Sequence, residues 1–271
     1  MKALLALEDG RTFECRSFTG PGETSGEVVF NTGMTGYQEI LTDPSYRGQL
    51  VTMTYPLVGN YGINPQDIES DRVQVAAFVI REYQEHHSNY RATQSLADYL
   101  KVYGVMGVDD LDTRALTRHI REAGAMRAFL STEDLDAASL AARAGQIPQM
   151  EGLDLVQHVS TTQPYCWKGG KPRPCQTERF DERVWEERSG RFRVVAFDYG
   201  VKYNILRCLE DAGCEILVVP GRTPADTVRK MAPDGIFLSN GPGDPAPLQY
   251  AVETVKSLIG FRPIFGICLG I

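Results

Sequence analysis

The chain has 271 residues, which is enough for two domains that each bury a core of their own. It carries 28 basic and 35 acidic residues, a net charge of −7, and no block of basic residues. This charge pattern argues against nucleic acid as a partner. No apolar run approaches the roughly 20 residues of a membrane span, and the opening stretch MKALLALEDG has too short an apolar run for a secretory signal. We therefore expect a cytoplasmic protein without a membrane segment.

The cysteines do not form a metal-binding pattern. None of them has C-x-x-C spacing, and the four histidines do not complete a zinc motif, so we predict no metal site. Every cysteine except Cys268 is expected to be a reduced thiol in a core or at the surface. The six cysteines are at positions 15, 166, 175, 208, 214 and 268.

Strand-like runs dominate the first part of the chain. ALLALEDGRTFECRSF contains two of them around Asp9-Gly10, which is a strong hairpin signal. Further β-branched or aromatic runs follow in EVVFNTG, GQLVTMTYP and VQVAAFVIREY. Residues 1–152 are therefore predicted to form a mixed, β-rich amino-terminal domain.

Three helices are predicted later in this domain. TQSLADYLKVYG has an apolar face, and DTRALTRHIREAG begins with Asp112 as a plausible N-cap and ends at Gly124. STEDLDAASLAARAG repeats the pattern, with Ser131 and Asp134 close to capping-box spacing.

The composition of the sequence changes in the predicted linker, residues 153–192. Much of this stretch is rich in proline, glycine and charged residues and lacks sustained periodicity. This composition is typical of a connection between domains, with room for a short hairpin.

Residues 193–271 alternate between apolar runs and amphipathic helices. Four runs, RVVAFDYG, CEILVVP, DGIFLSNGPGDP and PIFGIC, are separated by three helical stretches. Continuous apolar strands indicate a parallel sheet that is buried on both faces. The alternation predicts an open, doubly wound, flavodoxin-like sheet of the usual order 2-1-3-4-5, of which these residues supply strands 1 to 4. In such sheets ligands collect at the carboxyl ends of the strands.

Two motifs follow strands at that edge. In PIFGICLGI, Cys268 lies between Gly266 and Gly270 directly after a strand, the form of a nucleophile elbow. A helix starting there would favour the thiolate, the attacking form of cysteine. In SNGPGDP, the turn around Gly241 and Gly243 offers backbone N–H groups that can stabilise an oxyanion. Either motif alone is compatible with an ordinary turn or a buried cysteine, whereas the pair at one sheet edge indicates covalent catalysis.

The motifs carry a family resemblance. PIFGICLG together with DGIFLSNGPGDPAP resembles the catalytic core of class I glutamine amidotransferases. GEVVFNTGMTGYQEILTDPSYRGQLVTMTYPLVGNYG, DLDTRALTRHIREAGAMR and FDYGVKYNILRCL resemble the small subunit of glutamine-hydrolysing carbamoyl phosphate synthase. The resemblance extends from about residue 3 to 270 and diverges in the predicted linker.

The resemblance implies a role for five residues. Cys268 would attack the side-chain amide of L-glutamine, releasing ammonia and leaving a γ-glutamyl thioester for water to cleave. The N–H groups of Gly241 and Leu269 would form the oxyanion hole, and Gly243 would shape the glutamine pocket. Ser45, in TDPSY, matches a position through which the amino-terminal domain reaches the substrate. From the residues alone, Ser45 is the hydroxyl of a Pro-Ser turn.

The resemblance also implies a partner. Ammonia would pass through the interior to a large subunit, which uses ATP, Mg and bicarbonate to make carbamoyl phosphate for arginine and pyrimidine biosynthesis. The expected assembly is a hetero-oligomer, with no cofactor on this chain.

The chain departs from the family pattern at its end. Ile271 stands where the family has a histidine, and the family's general base, a histidine, and its orienting glutamate would come about a hundred residues later. We therefore expect an incomplete amidotransferase domain, cut short after the nucleophile, whose fourth strand lies at an exposed edge and whose glutaminase activity is negligible. Two alternatives stay open here: a non-catalytic binding partner of the large subunit, and an unrelated thiol hydrolase of the same sheet architecture.

Overall fold

The computed structural model describes residues 1–175, 180–185 and 190–271. The chain divides into two compact units, Met1–Gln149 and Met150–Ile271. We describe each unit by itself.

The first unit, all of whose residues are described, is built on a closed seven-stranded β-barrel with strand order β1-β2-β8-β6-β4-β3-β9, while β5 and β7 pair separately. The amino-terminal domain is thus β-rich, as predicted. The elements of this unit in chain order are β1 (Lys2–Leu7), β2 (Thr12–Ser17), β3 (Glu23–Asn31), α1 (Tyr37–Thr42), β4 (Gln49–Met53), β5 (Leu57–Val58), β6 (Ala77–Val79), β7 (Glu82–Tyr83), α2 (Leu96–Val102), β8 (Met106–Asp109), α3 (Thr113–Ala123), β9 (Met126–Ser131) and α4 (Ala137–Gly145).

The predicted hairpin at Asp9-Gly10 joins β1 to β2. The two strands are antiparallel, and Gly10 adopts the left-handed backbone that the turn needs, with φ +89°. β2 alternates: Phe13 and Cys15 are buried in the barrel, while Glu14 faces solvent. Burial raises the pKa of the Cys15 thiol to about 12, so this cysteine is the inert core thiol that the sequence indicated.

One predicted helix start is confirmed and the other is shifted along the chain. The Asp112 carboxylate accepts the Ala115 N–H at 2.9 Å and caps α3, which ends at Gly124. The near capping box at Ser131 is present only in part: the Ser131 hydroxyl accepts the Asp134 N–H at 2.8 Å, but Ser131 is the last residue of β9 and the helix begins later. Asp136 caps α4 instead, accepting the Ser139 N–H at 2.8 Å.

The second unit contains the doubly wound sheet. Its described strands run in the order β11-β10-β13-β12-β14-β15, and β13, β12, β14 and β15 are parallel in the predicted 2-1-3-4 arrangement. The elements in chain order are β10 (Tyr165–Lys168), β11 (Lys171–Pro174), β12 (Phe192–Asp198), α5 (Tyr203–Asp211), β13 (Cys214–Pro220), α6 (Ala225–Met231), β14 (Gly235–Leu238), α7 (Gln249–Leu258) and β15 (Ile264–Gly266).

The predicted linker contains a hairpin that extends this sheet. β10 pairs antiparallel with β11 and also with β13. The turn between β10 and β11 has Gly169 and Gly170 at φ +63° and +70°, the pair of positive values typical of a type I′ turn. Residues 176–179 and 186–189 of the predicted linker lie outside the described residues, and the limits 1–152, 153–192 and 193–271 stay a prediction.

Burial follows the position of each strand in the sheet. Val195–Phe197 of β12, Ile216–Val219 of β13 and Ile236–Leu238 of β14 are buried, as continuous apolar strands predict. β15 differs: the Phe265 side chain is 61% exposed. Among the described strands, β15 has a neighbour on one side only, because it lies at the edge of the sheet.

The helices of the described chain are short. The longest, α3, has 11 residues, and none has the length and apolar character needed to cross a membrane.

Candidate functional site

Cys268 lies on a strained turn at the carboxyl edge of the sheet. β15 ends at Gly266, Ile267 is still extended, and a single 3-10 turn spans Cys268–Gly270. Cys268 has a φ of +56°, a left-handed conformation that a side-chain-bearing residue rarely adopts. The residue is exposed. This combination of a sharp strand-to-turn transition and an accessible sulfur is the geometry of a nucleophile elbow.

The glycines on either side of Cys268 are required by close backbone packing. A Cβ on Gly266 would lie 2.1 Å from the Gly270 carbonyl oxygen, and a Cβ on Gly270 would lie 2.4 Å from the Leu238 carbonyl oxygen. Backbone atoms cannot rotate out of the way as a flexible side chain can. The elbow therefore closes tightly on itself and on the end of β14 only because both positions lack a side chain.

The SNGPGDP turn after β14 meets this elbow. A Cβ on Gly241 would lie 2.7 Å from Leu269 Cδ2 and 2.2 Å from the Tyr199 carbonyl oxygen. The structure thus brings Gly241 and Leu269 together. Gly243 adopts a φ of +77°, and the space beside it is bounded by Leu155, whose Cδ1 would be 3.2 Å from an added Cβ.

The N–H groups of Gly241 and Leu269 differ from those of their neighbours in having no acceptor in the described part of the chain. Among the described residues, neither N–H has a hydrogen-bond acceptor. By contrast, the neighbouring N–H groups of Ile267 and Gly270 donate to the carbonyl oxygens of Leu238 and Ile267. Two N–H groups without acceptors, one on the elbow and one on the turn that packs against it, have the chemistry that an oxyanion hole requires.

A polar network fixes the loops that carry these groups. The buried Ser239 hydroxyl accepts the Tyr199 N–H at 2.9 Å and donates to the Asn240 carbonyl oxygen at 2.7 Å. The Asn240 side-chain oxygen accepts the Lys202 N–H at 3.0 Å. The ends of β12 and β14 are therefore tied together through side-chain to backbone hydrogen bonds.

Asp198, the last residue of β12, anchors a second part of this edge. Its buried carboxylate accepts the N–H groups of Gly200 and Val201 at 2.9 and 2.8 Å through one oxygen. The other oxygen accepts the Thr161 N–H at 2.7 Å. The acidic side chain thus organises the turn after β12.

An apolar cavity of about 230 Å³ adjoins the elbow, lined by residues that include Leu238, Leu248, Leu269 and Tyr199. Tyr199 is buried, and its hydroxyl has no hydrogen-bond partner within the described part of the chain. Burial raises the pKa of Tyr199, so the hydroxyl stays protonated and neutral.

Ser45 lies in the first unit, apart in sequence and in structural unit from the other four predicted site residues. It sits in the 3-10 helix Pro44–Tyr46, where its N–H donates to the Asp43 carboxylate at 2.9 Å. The Pro-Ser turn expected from the residues alone is therefore present. The substrate-reaching role of Ser45 stays a prediction.

The histidines are spread over both units. His119 belongs to the first unit, where its Nε2 lies 2.6 Å from the Asp9 carboxylate. His158 ends the 3-10 helix Val156–His158 of the second unit and is exposed. The expectation that the general base is a histidine about a hundred residues further on stays a prediction.

Comparison with known proteins adds independent information to this geometry. The family model described as "Carbamoyl-phosphate synthase small chain, CPSase domain" matches residues 5–130, and the model for class I glutamine amidotransferases matches residues 195–271. A carbamoyl phosphate synthase small chain from Syntrophotalea carbinolica is 53% identical over 271 residues, which is the whole of this chain and 70% of that protein. The chain belongs to the carbamoyl phosphate synthase small chain family.

Further family members give the same result. The small chain of Maridesulfovibrio salexigens is 56% identical over 270 residues, with 71% of its length covered, and that of Rhodopirellula baltica is 53% identical over 272 residues, with 69% covered. An aminopeptidase structure from Aneurinibacillus sp. strain AM-1 matches with a TM-score of only 0.27 at 10% identity, covering 88% of this chain and 56% of that chain. The family match across the first unit removes the support for an unrelated thiol hydrolase.

Within the family assignment, the structure adds residues that the sequence motifs did not single out. Asp198, Tyr199 and Ser239 support the loops at the carboxyl edge of the sheet. A signal for them was present, because polar residues directly after a continuous apolar run stand at the carboxyl end of a buried strand. No sequence signal marks the acceptor-free N–H of Leu269, since every residue other than proline has a backbone N–H.

Proposed function

We propose that Cys268 is the nucleophile for L-glutamine hydrolysis in a carbamoyl phosphate synthase. The sulfur attacks the side-chain amide carbon, the C–N bond breaks with release of ammonia, and water then cleaves the γ-glutamyl thioester. The observation that carries this proposal is the exposed, left-handed Cys268 two residues after β15, together with the acceptor-free N–H groups of Leu269 and of Gly241, which packs against Leu269.

The N–H groups of Gly241 and Leu269 are proposed to hold the oxyanion that forms during this attack. Both belong to backbone fixed by close packing, so little reorganisation is needed when negative charge develops. A single donor of this kind typically contributes about 3 to 4 kcal/mol of transition-state stabilisation. Gly243, at the mouth of the same turn, would leave room for the glutamine backbone groups.

The ammonia would be consumed by a large-subunit partner. That subunit is proposed to use ATP, Mg and bicarbonate to form carbamoyl phosphate, with no cofactor held by this chain. Transfer through an interior path would keep the ammonia unprotonated, because ammonia released into neutral water is protonated and loses its nucleophilicity.

We further propose that a polypeptide of residues 1–271 hydrolyses glutamine at a negligible rate. The thioester chemistry needs a general base, and the family takes this histidine and its glutamate from positions beyond residue 271. The alternative role for this polypeptide is docking on the large subunit without delivery of ammonia.

The test is active-site labelling with a chloroketone analogue of glutamine, followed by peptide mass spectrometry. We expect alkylation at Cys268 that excess glutamine prevents. Cys208, an exposed cysteine on α5, is the matched control, and its labelling should not respond to glutamine. Equal, unprotected labelling of both thiols would contradict a glutamine site at Cys268. Co-purification with the large subunit in that case would support the docking role.

A further inference from the structure

Cys166 and Cys175 lie side by side on the β10–β11 hairpin. Cys166 is directly opposite Arg173 in the strand register, and Cys175 follows two residues later on the same face. The two sulfurs are 3.5 Å apart, and both residues are partly buried. A spacing of nine positions in the sequence did not predict this pair, because the hairpin turn is what brings the sulfurs together.

The two thiols are chemically unequal. The Cys166 thiol donates a hydrogen bond to the Cys175 sulfur, and this bond lowers the pKa of Cys175 against the opposing effect of burial. The lowered pKa favours the thiolate of Cys175, and Cys166, 3.5 Å away, is placed to resolve what forms on it. Cys15, whose pKa is raised to about 12 by burial, is the opposite case.

A metal site does not account for this pair. Within the described ranges, no group of three or more histidine, cysteine, aspartate or glutamate side chains is arranged to hold a metal ion. Two sulfurs alone fall short of the four ligands that a structural zinc ion takes.

We propose that Cys166 and Cys175 are a site of reversible oxidation, which closes to an intramolecular disulfide in the presence of a peroxide. The Cys175 thiolate attacks one peroxide oxygen, the O–O bond breaks, and hydroxide leaves as the sulfur becomes a sulfenic acid. The Cys166 thiol then attacks that sulfur, the S–O bond breaks, and water leaves with the thiol proton. Two sulfurs are oxidised and one peroxide is reduced.

The geometry requires only a small movement for this reaction. The sulfurs must approach from 3.5 Å to the roughly 2.05 Å of a disulfide bond. Among the described strands β11 lies at the edge of the sheet, and its residues Lys171–Pro174 are exposed, so few packed side chains hold it in place. Cys166 lines a cavity of about 470 Å³, so a small oxidant can approach the pair from the side of Cys166.

The disulfide would clamp the open end of the hairpin. The turn end is already held, because the Gly169 and Gly170 N–H groups donate to the Glu210 carboxylate at 2.6 and 3.0 Å. Oxidation would therefore tie β11 to the sheet at both ends. Its amide hydrogens should exchange more slowly in the oxidised protein than in the reduced protein.

The experiment treats residues 1–271 with a slight excess of hydrogen peroxide, blocks remaining thiols, and maps tryptic peptides without reductant. Trypsin cleaves after Lys168, so the two cysteines fall in separate peptides that stay linked only by a disulfide. We expect a linked pair containing Cys166 and Cys175, loss of two titratable thiols, and recovery of both with dithiothreitol.

Two serine variants make the test specific. Cys166→Ser should abolish the linked pair and leave Cys175 as a sulfenic acid that a dimedone probe captures. Cys208→Ser, which removes an exposed thiol elsewhere in the same unit, should leave the linked pair unchanged. If a variant fails to fold, the peptide map of the wild-type protein still tests the proposal. Absence of the linked pair in the wild-type protein, or a bond of either cysteine to a different sulfur, would overturn the proposal.

Discussion

Replacing Gly241 by alanine tests whether the site depends on direct backbone packing. The new methyl carbon would lie 2.2 Å from the Tyr199 carbonyl oxygen and 2.7 Å from Leu269 Cδ2. Ordinary van der Waals contact begins at 3.4 Å, so the turn must move away from Tyr199 by about 1 Å. Gly241 has no positive φ, which leaves this steric overlap as the reason for the strain.

The expected cost is at the upper end of the range for overpacking, about 3 kcal/mol, because the nearest atom belongs to the backbone and cannot change rotamer. For a unit of this size, such a loss lowers the melting temperature by about 10 °C. The displacement also separates the Gly241 N–H from the Leu269 N–H, so an oxyanion hole built from both would be disrupted in the same variant.

Tryptophan fluorescence during urea or thermal unfolding is the suitable assay. Trp167 and Trp185 are the two tryptophans of the chain, and both are buried in the second unit, so their emission reports on that unit alone. Gly235→Ala is the matched control. An added Cβ there would meet only the Pro263 carbonyl oxygen at 3.8 Å, and alanine should be neutral or slightly stabilising. Equal stability of the two variants would refute the requirement for close packing at Gly241.

Three further predictions address the supporting contacts. Asp198→Asn should destabilise the second unit by about 1 to 3 kcal/mol in the same fluorescence assay, because the amide's NH₂ group must face a backbone N–H that the carboxylate now accepts. Glu210→Gln should accelerate hydrogen exchange at the two turn amides of the β10–β11 hairpin while changing overall stability by less than about 1 kcal/mol. In the first unit, the hydrogen bonds from Arg127 lower the pKa of Glu8 below its ordinary 4.5, so this pair stabilises above pH 4.5 and the stabilisation is lost as the pH falls further. Glu8→Gln should therefore reduce the acid sensitivity of β1 and β9 in hydrogen exchange, and an unchanged acid profile would contradict this reasoning.

The parallel sheet was predictable because its signal is local. Each of β12, β13 and β14 is a continuous apolar run followed by a helix, and the right-handed crossover rule then leaves few arrangements. The elbow at Cys268 was predictable for the same reason, since a strand, two glycines and a cysteine stand together in the sequence. The order of the elements along the chain and the residue types were sufficient to predict both the sheet and the elbow.

The barrel closure and the hairpin were not predictable in this way. The barrel depends on β3 pairing with β4 in parallel and on β1 pairing with the distant β9, and no local pattern encodes these pairings. β11 has the sequence KPRP, with two prolines and no apolar side chain besides them, so it lacks the usual signal for a strand. It is nevertheless compatible with an edge, where a missing N–H costs no hydrogen bond on the solvent side.

The glycines of the candidate site are required for two different reasons, backbone conformation and close packing. The second reason explains how the N–H groups of the site are positioned. Gly243 is needed for its left-handed backbone, whereas Gly241, Gly266 and Gly270 are needed because another carbonyl oxygen occupies the space of a side chain. The second group places three backbone segments in direct contact, from the ends of β12, β14 and β15. The acceptor-free N–H groups are thus positioned by main-chain packing and not by side-chain rotamers. Preorganised donors of this kind favour the transition state because their orientation is already fixed when charge develops.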